Sequence, residues 1–399
     1  MKPSDKPAGG THLFYLDEAG VLFSEAKQEL HLLNATATLI WSLLEEGHDA
    51  RSASDALQQS HGLEADHSDN LVAAAIGQWR DSQLLECSPV EQTSGRSTAL
   101  DAPAPAEGPA WHQPLIVEER HYRLLDSRFR LRFSSIAQIQ MVHPVLEHLQ
   151  VHESSLDATV VDVAETIDGL IIYRDREFFS ECAGLAELAP NIKSLVWSTA
   201  VNNHQFFLDI HAGVVGNGSV CILLPGPPGS GKSTLTALLA HAGYEFFSDE
   251  IALLSEGTFE VVPVPLAICV KESGIAALAD TFPQLPQLPL HLRGDGKRVA
   301  YLQPPPETRP SDRTSRPVAA LVFPRYEPLM APTLEPMAKT VALKRLLEEC
   351  VAVRTPLDRD RVAALVQWIS RMPCYSLVFG SGSEAIGKIH SILSPRRRT

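Results

Sequence analysis

The sequence contains little of what stabilises secreted, metal-bound or membrane-embedded proteins. It has six cysteines in 399 residues, with no C-x-x-C pair and no Cys/His cluster at zinc spacing, so neither disulfides nor a structural metal are expected. No apolar run reaches the roughly 18–20 residues of a membrane span, and residues 1–10 lack the apolar segment of a secretory signal. We therefore expect a soluble, cytoplasmic protein with no membrane partner. The cysteines are Cys87, Cys182, Cys221, Cys269, Cys350 and Cys374.

Positive charge is also scarce. Lys and Arg total 34 against 48 Asp and Glu, which gives a net charge of −14. Because contact with a nucleic-acid backbone needs a broad basic surface, we expect no nucleic-acid partner. A small phosphorylated ligand needs only a few basic residues and is compatible with this balance. The hydrophobic content of 44% excludes disorder as a description of the whole chain.

Composition along the chain indicates two folded domains joined by a linker, since the chain is too long for one ordinary core. A disordered tail at 1–11 precedes residues 12–86, whose pattern predicts one hairpin and three helices in a small winged-helix-like unit. Residues 87–114 carry five prolines and few large apolar side chains, which predicts a flexible linker. Residues 115–394 alternate strand and helix patterns and predict an α/β domain, followed by a basic tail at 395–399.

The second domain divides further. Residues 115–205 are expected to form an accessory part, and residues 206–270 contain the strands and glycine-rich turn of a nucleotide-binding core. Residues 282–317 are rich in proline and weakly patterned, which favours a surface insertion or mobile loop.

A complete G-x-x-x-x-G-K-S motif at 226–233 is the strongest signal. An apolar strand at 220–224 precedes it and a helical segment follows, the context in which backbone N–H groups and a helix N-terminus hold phosphate oxygens. Lys232 is expected against the β- and γ-phosphates, and the Ser233 hydroxyl on Mg²⁺, so the predicted cofactors are ATP and Mg²⁺. The predicted nucleotide-binding residues are Gly226, Pro227, Pro228, Gly229, Ser230, Gly231, Lys232, Ser233 and Thr234.

Two acidic residues follow the next strand. Residues 244–248 predict a strand that ends in Asp249 and Glu250, seventeen residues after Lys232. A strand end should deliver these side chains to the carboxyl edge of the sheet, where α/β proteins bind ligands. Asp249 can hold the metal, directly or through water, and its neighbour can accept a proton from an attacking hydroxyl.

This region resembles the HPr serine kinase family, whose nucleotide domain is similar to phosphoenolpyruvate carboxykinase. His211-Ala212-Gly213 precedes the loop by the family's His-Gly spacing, Gly243 matches its helix-closing glycine, and Asp249-Glu250 matches its paired Asp-Asp. The resemblance implies a kinase fold in which Asp249 and Ser233 hold Mg²⁺, Glu250 is the catalytic base, and His211 and Lys232 lie at the transferred phosphoryl group.

The chain departs from that family in two respects. Glu250 replaces the second Asp and lengthens the reach of the carboxylate, and the family's glycine-rich carboxyl-side signature is not found. The specific likeness covers residues 204–265. HPr kinases form hexamers. A homo-oligomer is compatible with the resemblance, but a resemblance in one region does not imply a hexamer for this chain. Five downstream basic residues could meet phosphate or substrate: Lys271, Arg293, Lys297, Arg298 and Arg325.

The amino-terminal unit resembles PqqD. The likeness lies in the run LLNATATLIW at 32–41, then Leu43-Leu44 and Gly47, and a third helix ending in Leu84-Leu85. It implies that a leader peptide adds a strand to the wing edge and places apolar side chains beside the third helix. A structural or dimerising winged helix is the alternative. DNA binding is disfavoured, because the third helix offers one basic residue, Arg80.

Together these expectations describe an ATP-dependent kinase for a Ser or Thr hydroxyl of a peptide or small protein that the PqqD-like domain recruits. Two other functions remain open from sequence. One is a small-molecule kinase with a merely structural amino-terminal unit. The other is a nucleotide-sensing peptide-binding or chaperone protein that transfers no phosphate.

Overall fold

A computed structural model describes residues 5–86, 108–153, 155–310 and 314–393. The expected linker at 87–114 lies largely outside these residues, the expected basic tail at 395–399 wholly, and the expected tail at 1–11 in part.

Strands and helices follow one another along the chain. In residues 5–86 they are β1 (Thr11–Leu16), β2 (Ala19–Ser24), β3 (Glu29–Leu33), α1 (Ala35–Glu45), α2 (Ala50–His61) and α3 (Ala65–Asp81). Next come β4 (Glu118–Leu124), β5 (Ser127–Phe133), α4 (Ile136–Leu146), β6 (Thr159–Glu165), β7 (Leu170–Arg174), β8 (Glu177–Cys182), α5 (Leu185–Asn203), β9 (Leu208–Ile210), β10 (Ala212–Gly216), β11 (Cys221–Pro225), α6 (Lys232–His241), β12 (Glu245–Ser248) and β13 (Ala252–Leu254). The remainder comprises β14 (Ile268–Lys271), α7 (Ile275–Leu278), β15 (His291–Leu292), β16 (Arg298–Leu302), β17 (Val318–Tyr326), β18 (Thr333–Pro336), α8 (Lys339–Glu348), β19 (Cys350–Val353), α9 (Arg359–Arg371), β20 (Cys374–Phe379) and α10 (Gly382–Leu393).

These elements form two compact units, and neither is continuous in sequence. The first contains β1–β3 and α1–α3 together with Met337–Glu348 and Thr355–Met372, which carry α8 and α9. The second contains the other elements. The sequence pattern assigns 115–394 to one domain; in the structure, two of its helices belong to the amino-terminal unit.

Local sequence explains the helices of the first unit. The Asn34 side chain accepts a hydrogen bond from the Ala37 N–H and caps α1, and Gly62 ends α2 in the left-handed conformation. The core packs Trp41 edge-on against Trp79, with ring centroids 5.1 Å apart. The expected hairpin is present as β1 and β2, and a third strand, β3, extends it.

Residues of the carboxyl half complete this unit. The Asp17 carboxylate accepts a hydrogen bond from the Lys339 N–H at the start of α8, and the Glu25 carboxylate accepts one from the Arg359 N–H at the start of α9. The Gln28 side chain also bonds both the N–H and the C=O of Leu357. The two helices are thus tied to the hairpin by their own backbone groups.

The sheet that carries the glycine-rich loop is mixed, with strand order β12-β10-β11-β17-β20-β18. Strands β11, β17 and β20 are parallel, so their carboxyl ends share one edge. Helices α6 and α10 pack on this sheet through Leu235, Leu239 and Ile389. A separate five-stranded sheet, β4-β5-β6-β7-β8, packs with α4 and α5 and lies within residues 115–205.

The proline-rich region at 282–317 is not a featureless loop. It contributes β15 and β16 to a three-stranded sheet with β14, and Val299, Ala300 and Leu302 are buried. The expectation of a surface insertion was wrong for this part because the prolines lie between the strands rather than within them, so the ladder keeps its N–H donors.

Candidate functional site

The glycine-rich loop joins the fully buried strand β11 to the first residue of α6. Gly229 and Gly231 have φ values of +94° and +91°, which side-chain-bearing residues rarely adopt. At Gly231 space is limiting as well, since a Cβ would lie 2.9 Å from the Phe379 ring and 3.1 Å from Tyr326 Cβ. The loop can therefore take this shape only with glycine at these positions.

Lys232 and the Ser230 hydroxyl are buried polar groups at the glycine-rich loop. The buried Lys232 ammonium donates hydrogen bonds to the carbonyl oxygens of Gly226 and Pro227, the latter at 3.3 Å. Burial lowers the pKa of Lys232, although the charges of nearby carboxylates oppose the shift. The Ser230 hydroxyl is buried without a hydrogen-bond partner. An unpaired donor beside a lysine fits a ligand that brings acceptor oxygens.

Gly213 has a packing role. A Cβ at this position of β10 would lie 2.4 Å from the Thr236 hydroxyl on α6. The glycine therefore lets the helix behind the loop approach the sheet, which gives a physical reason for the glycine of the His211-Ala212-Gly213 run.

Asp249 and Glu250 follow β12, as expected. The Ser248 hydroxyl accepts hydrogen bonds from the N–H groups of Glu250 and Ile251 at 3.2 and 2.9 Å, which turns the chain at this point. Asp249 is buried and accepts a hydrogen bond from the Cys269 N–H at 3.2 Å. Burial raises the pKa of Asp249 to about 6, while a hydrogen bond with Ser233 opposes the rise. Loop and strand end therefore meet at the Ser233–Asp249 pair.

Lys193, which the sequence reasoning missed, is the buried cation beside these carboxylates. Its ammonium lies 3.5 Å from Glu250 Oε2 and 5.2 Å from the centre of the Tyr301 ring. Burial alone would lower the pKa of Lys193, but the charges of Glu250 and Asp249 outweigh it and raise the pKa. In return, the charge of Lys193 lowers the pKa of Glu250. A lone lysine in the apolar helix α5 was the available signal.

His211 approaches the same site from the turn between β9 and β10. Its N–H donates to the Glu349 carbonyl at 2.8 Å, and its ring Nδ1 lies 3.4 Å from the Glu349 carboxylate. Burial and then the charge of Lys232 lower the pKa of His211. The neutral ring is thus favoured despite the adjacent carboxylate. Glu349 was not anticipated, because it is more than a hundred residues away in sequence.

Asp209 is a further buried acid on the adjacent strand β9. Burial, and after it the charge of Glu250, raise the pKa of Asp209 to about 6. The site therefore gathers more carboxyl groups than it has buried cations to balance.

The other basic residues divide into two groups. Lys297, Arg298 and Arg325 form ion pairs with neighbouring acids and are more than half exposed. Arg293 and Lys271 act on the site itself: Arg293 contributes to the low pKa of Glu250, and Lys271 to that of Lys232.

The oxygen donors of Ser233 and Asp249 suit a magnesium ion better than a metal ion whose ligands all come from the protein. Among the described residues, no group of three or more His, Cys, Asp or Glu side chains could hold a metal ion. Ser233 and Asp249 offer one hydroxyl and one carboxylate, and Mg²⁺ takes its remaining ligands from water and substrate phosphates. These residues therefore fit Mg²⁺ bound together with a nucleotide.

The first unit contains a second candidate site, a groove of about 640 Å³. One wall is β3, an edge strand that pairs only with β2 in the described part of the chain. The opposite wall is α3, and α8 adds a third wall from the carboxyl half. The lining residues are Leu30, His31, Leu32, Leu33, Asn34, Ala37, Ala75, Gln78, Trp79, Ser82, Lys344, Leu347 and Glu348. An open strand edge beside a groove with both apolar and polar lining residues can accept an extended peptide.

None of the helices in the described ranges is long and apolar enough to cross a membrane. The cysteines at 182, 221, 269, 350 and 374 are free, while Cys87 lies outside the described residues.

Comparison with known proteins identifies the amino-terminal unit. Residues 19–85 match the family model of PqqD, coenzyme PQQ synthesis protein D, so the chain carries a PqqD-like domain. Among solved structures it is similar to one described as TbiB1 in complex with the TbiA(beta) leader peptide, with 22% sequence identity. The match covers 21% of this chain and 99% of that one, with a TM-score of 0.20. A search of curated proteins finds no match.

Proposed function

We propose that this chain is an ATP-dependent kinase of the HPr-kinase type, acting on a Ser or Thr hydroxyl of a peptide held by the PqqD-like domain. One observation carries the proposal. The glycine-rich loop, the Ser233–Asp249 pair, Glu250 and His211 converge at one edge of the sheet, although they come from three separate segments. Asp249 is buried at this edge, and the loop also holds the unpaired buried hydroxyl of Ser230.

The loop would bind the triphosphate. Its N–H groups, the α6 N-terminus and Lys232 supply positive charge, and Lys232 would exchange its bonds to the loop carbonyls for phosphate oxygens. Ser233 and Asp249 would hold Mg²⁺, which neutralises charge on the β- and γ-phosphates when bound. His211, kept neutral by burial, can donate one hydrogen bond without adding charge.

Glu250 would act as the general base. It accepts the proton of the acceptor hydroxyl as the hydroxyl oxygen takes the γ-phosphoryl group and ADP departs. The charge of Lys193 keeps Glu250 ionised, and its position 3.5 Å from Oε2 fixes the carboxylate that receives the proton.

The PqqD-like domain would recruit the substrate. The edge of β3 can pair with an extended segment, and the groove beside α3 offers both apolar and polar residues to its side chains. A leader segment bound there raises the effective concentration of a nearby acceptor residue to about the millimolar range for a short flexible connection. Weak binding of the acceptor itself would then suffice.

The test is single-turnover transfer from ATP labelled at the γ-phosphate to peptides eluted from the purified wild-type chain. Wild type should label a peptide; Lys232→Ala should lose nucleotide affinity and transfer, and Glu250→Gln should keep nucleotide affinity but lose transfer. Nucleotide binding without any labelled product in wild type would overturn the kinase proposal and favour a nucleotide sensor.

A further inference from the structure

An apolar surface patch adjoins the glycine-rich loop and has no role in the chemistry described above. It comprises Tyr326, the last residue of β17, with Leu329 and Met330 just beyond it. Their exposed fractions are 47%, 101% and 48%. Three large apolar side chains within five residues of sequence are thus left exposed.

Tyr326 is fixed to the loop by its backbone and by its ring. Its N–H donates to the Ser230 carbonyl at 3.1 Å, and its Cβ is one of the atoms that exclude a side chain at Gly231. The ring meets Phe379 in a T-shaped contact at 5.8 Å, which supports it from within while the ring stays half exposed.

The segment that follows Tyr326 is also held in place. The Glu327 N–H donates to the Phe379 carbonyl and the Gly380 N–H to the Met330 carbonyl, each at 2.9 Å. A Cβ at Gly380 would lie 2.8 Å from Leu329 N, so the segment approaches this glycine closely. Leu329 adopts a φ of +67° with its side chain in solvent. An exposed leucine in a left-handed conformation gains nothing from packing within the chain.

Sheet order gives the direction in which a nucleotide would lie. The strand order β12-β10-β11-β17 places the Asp249 and Glu250 end of β12 on one side of the loop strand β11 and the Tyr326 end of β17 on the other. A triphosphate lying across the loop with its γ-phosphate at Glu250 therefore extends its nucleoside toward β17.

We propose that Tyr326, with Leu329 and Met330, is the platform on which the purine base of the bound nucleotide stacks, an inference that rests on the proposed function. An aromatic ring offers a base its π-face whatever the hydrogen-bonding pattern of that base, and methionine sulfur adds favourable contacts with aromatic rings. The larger purine face would cover more of the patch than a pyrimidine.

Calorimetric titration of the full chain with two ligands in Mg²⁺ tests this, because ATP and inorganic tripolyphosphate share the phosphate chain but only ATP has a base. Tyr326→Ala should weaken ATP binding about tenfold, since a base stacked on an aromatic side chain contributes on that scale. The same variant should leave tripolyphosphate affinity unchanged, and Tyr326→Phe should bind ATP like wild type. Tyr15→Ala, which removes another exposed tyrosine, is the matched control.

Other outcomes would contradict the proposal that the base stacks on Tyr326. Equal losses for both ligands would mean that Tyr326 only supports the loop. Unchanged ATP affinity with weaker acceptor binding would make the patch a peptide contact. In both cases the proposed kinase function would stand. Failure of the wild type to bind either ligand would contradict both the kinase function and the stacking role of Tyr326.

Discussion

At the scale of single residues, the site combines residues that sequence motifs identify with residues that no motif identifies. The loop, Asp249 and His211 lie in recognisable runs, so their meeting could be predicted from strand and helix order. Lys193 and Glu349 could not, because each lies far away in sequence and reaches the site only through the packing of α5 and β19. The charge of Lys193 is the largest cause of the lowered pKa of Glu250.

Replacing Lys193 by Met tests its role as a positioning residue. The change removes the charge that lowers the pKa of Glu250, so the acid limb of the pH–rate profile should move to higher pH. kcat should fall about 100-fold, a typical contribution of a well-placed general base. Steady-state kinetics across pH provides the measurement.

Lys193→Arg is the conservative variant and should restore part of kcat. Loss of kcat in Lys193→Met with an unshifted pH profile and a lower melting temperature would instead indicate a purely structural lysine.

Asp209 gives a prediction about stability. A folded pKa of about 6 lies above the unfolded value near 4, so the folded state binds the proton more tightly. The stabilisation from this proton is complete below the unfolded pKa and is lost as pH rises through about 6. Asp209→Asn cannot ionise and should raise the free energy of unfolding by about 2 kcal/mol at pH 8, with little change near pH 4.

Denaturant unfolding at the two pH values measures this difference, with Asp280→Asn as an exposed-acid control. An equal effect of Asp209→Asn at both pH values would show that Asp209 does not titrate as described.

At the scale of elements, hydrophobic periodicity predicts the helices well, but it does not identify the edge strand β3. Asp358 caps α9 and Asn34 caps α1, and both are residue types that favour this position. Strand β3 was missed because its run, ELHLL, continues into the helix signal at Asn34 with no turn residue between. That strand is the open edge of the groove, so the missing element bears directly on peptide recognition.

A substitution on α3 separates groove occupancy from fold stability. Ala75 lines the groove, whereas its neighbour Ala74 is exposed and does not. Ala75→Trp should fill the groove and abolish retention of peptides that co-purify with wild type, while Ala74→Trp should retain them. Mass spectrometry of denatured, purified protein gives the comparison. Equal peptide retention in both variants would contradict recruitment through this groove.

At the scale of the whole molecule, the two units interleave along the chain. Sequence composition indicates the change near residue 87, but it contains no signal that α8 and α9 return to the first unit, because a discontinuous domain depends on contacts distant in sequence. The PqqD-like domain is therefore not a module that can be removed without consequence for the rest of the chain.

Deleting residues 1–86 should accordingly lower the thermal stability of what remains. The hairpin that binds the first residues of α8 and α9 would be lost, and their backbone N–H groups would lose the carboxylate partners that hold them. Circular dichroism measures the melting temperatures of this deletion variant, of Ala75→Trp and of the full chain. A deletion as stable as the full chain would show that α8 and α9 do not need the amino-terminal unit.

The proposed function requires that one chain both holds a peptide and phosphorylates it. The most direct measurement is mass spectrometry of the peptide eluted from the full chain before and after Mg²⁺ and ATP are added. We expect one added phosphate on a Ser or Thr, matched by an equal amount of ADP and absent in Glu250→Gln. A peptide that stays unmodified while wild type binds ATP would contradict the proposed function.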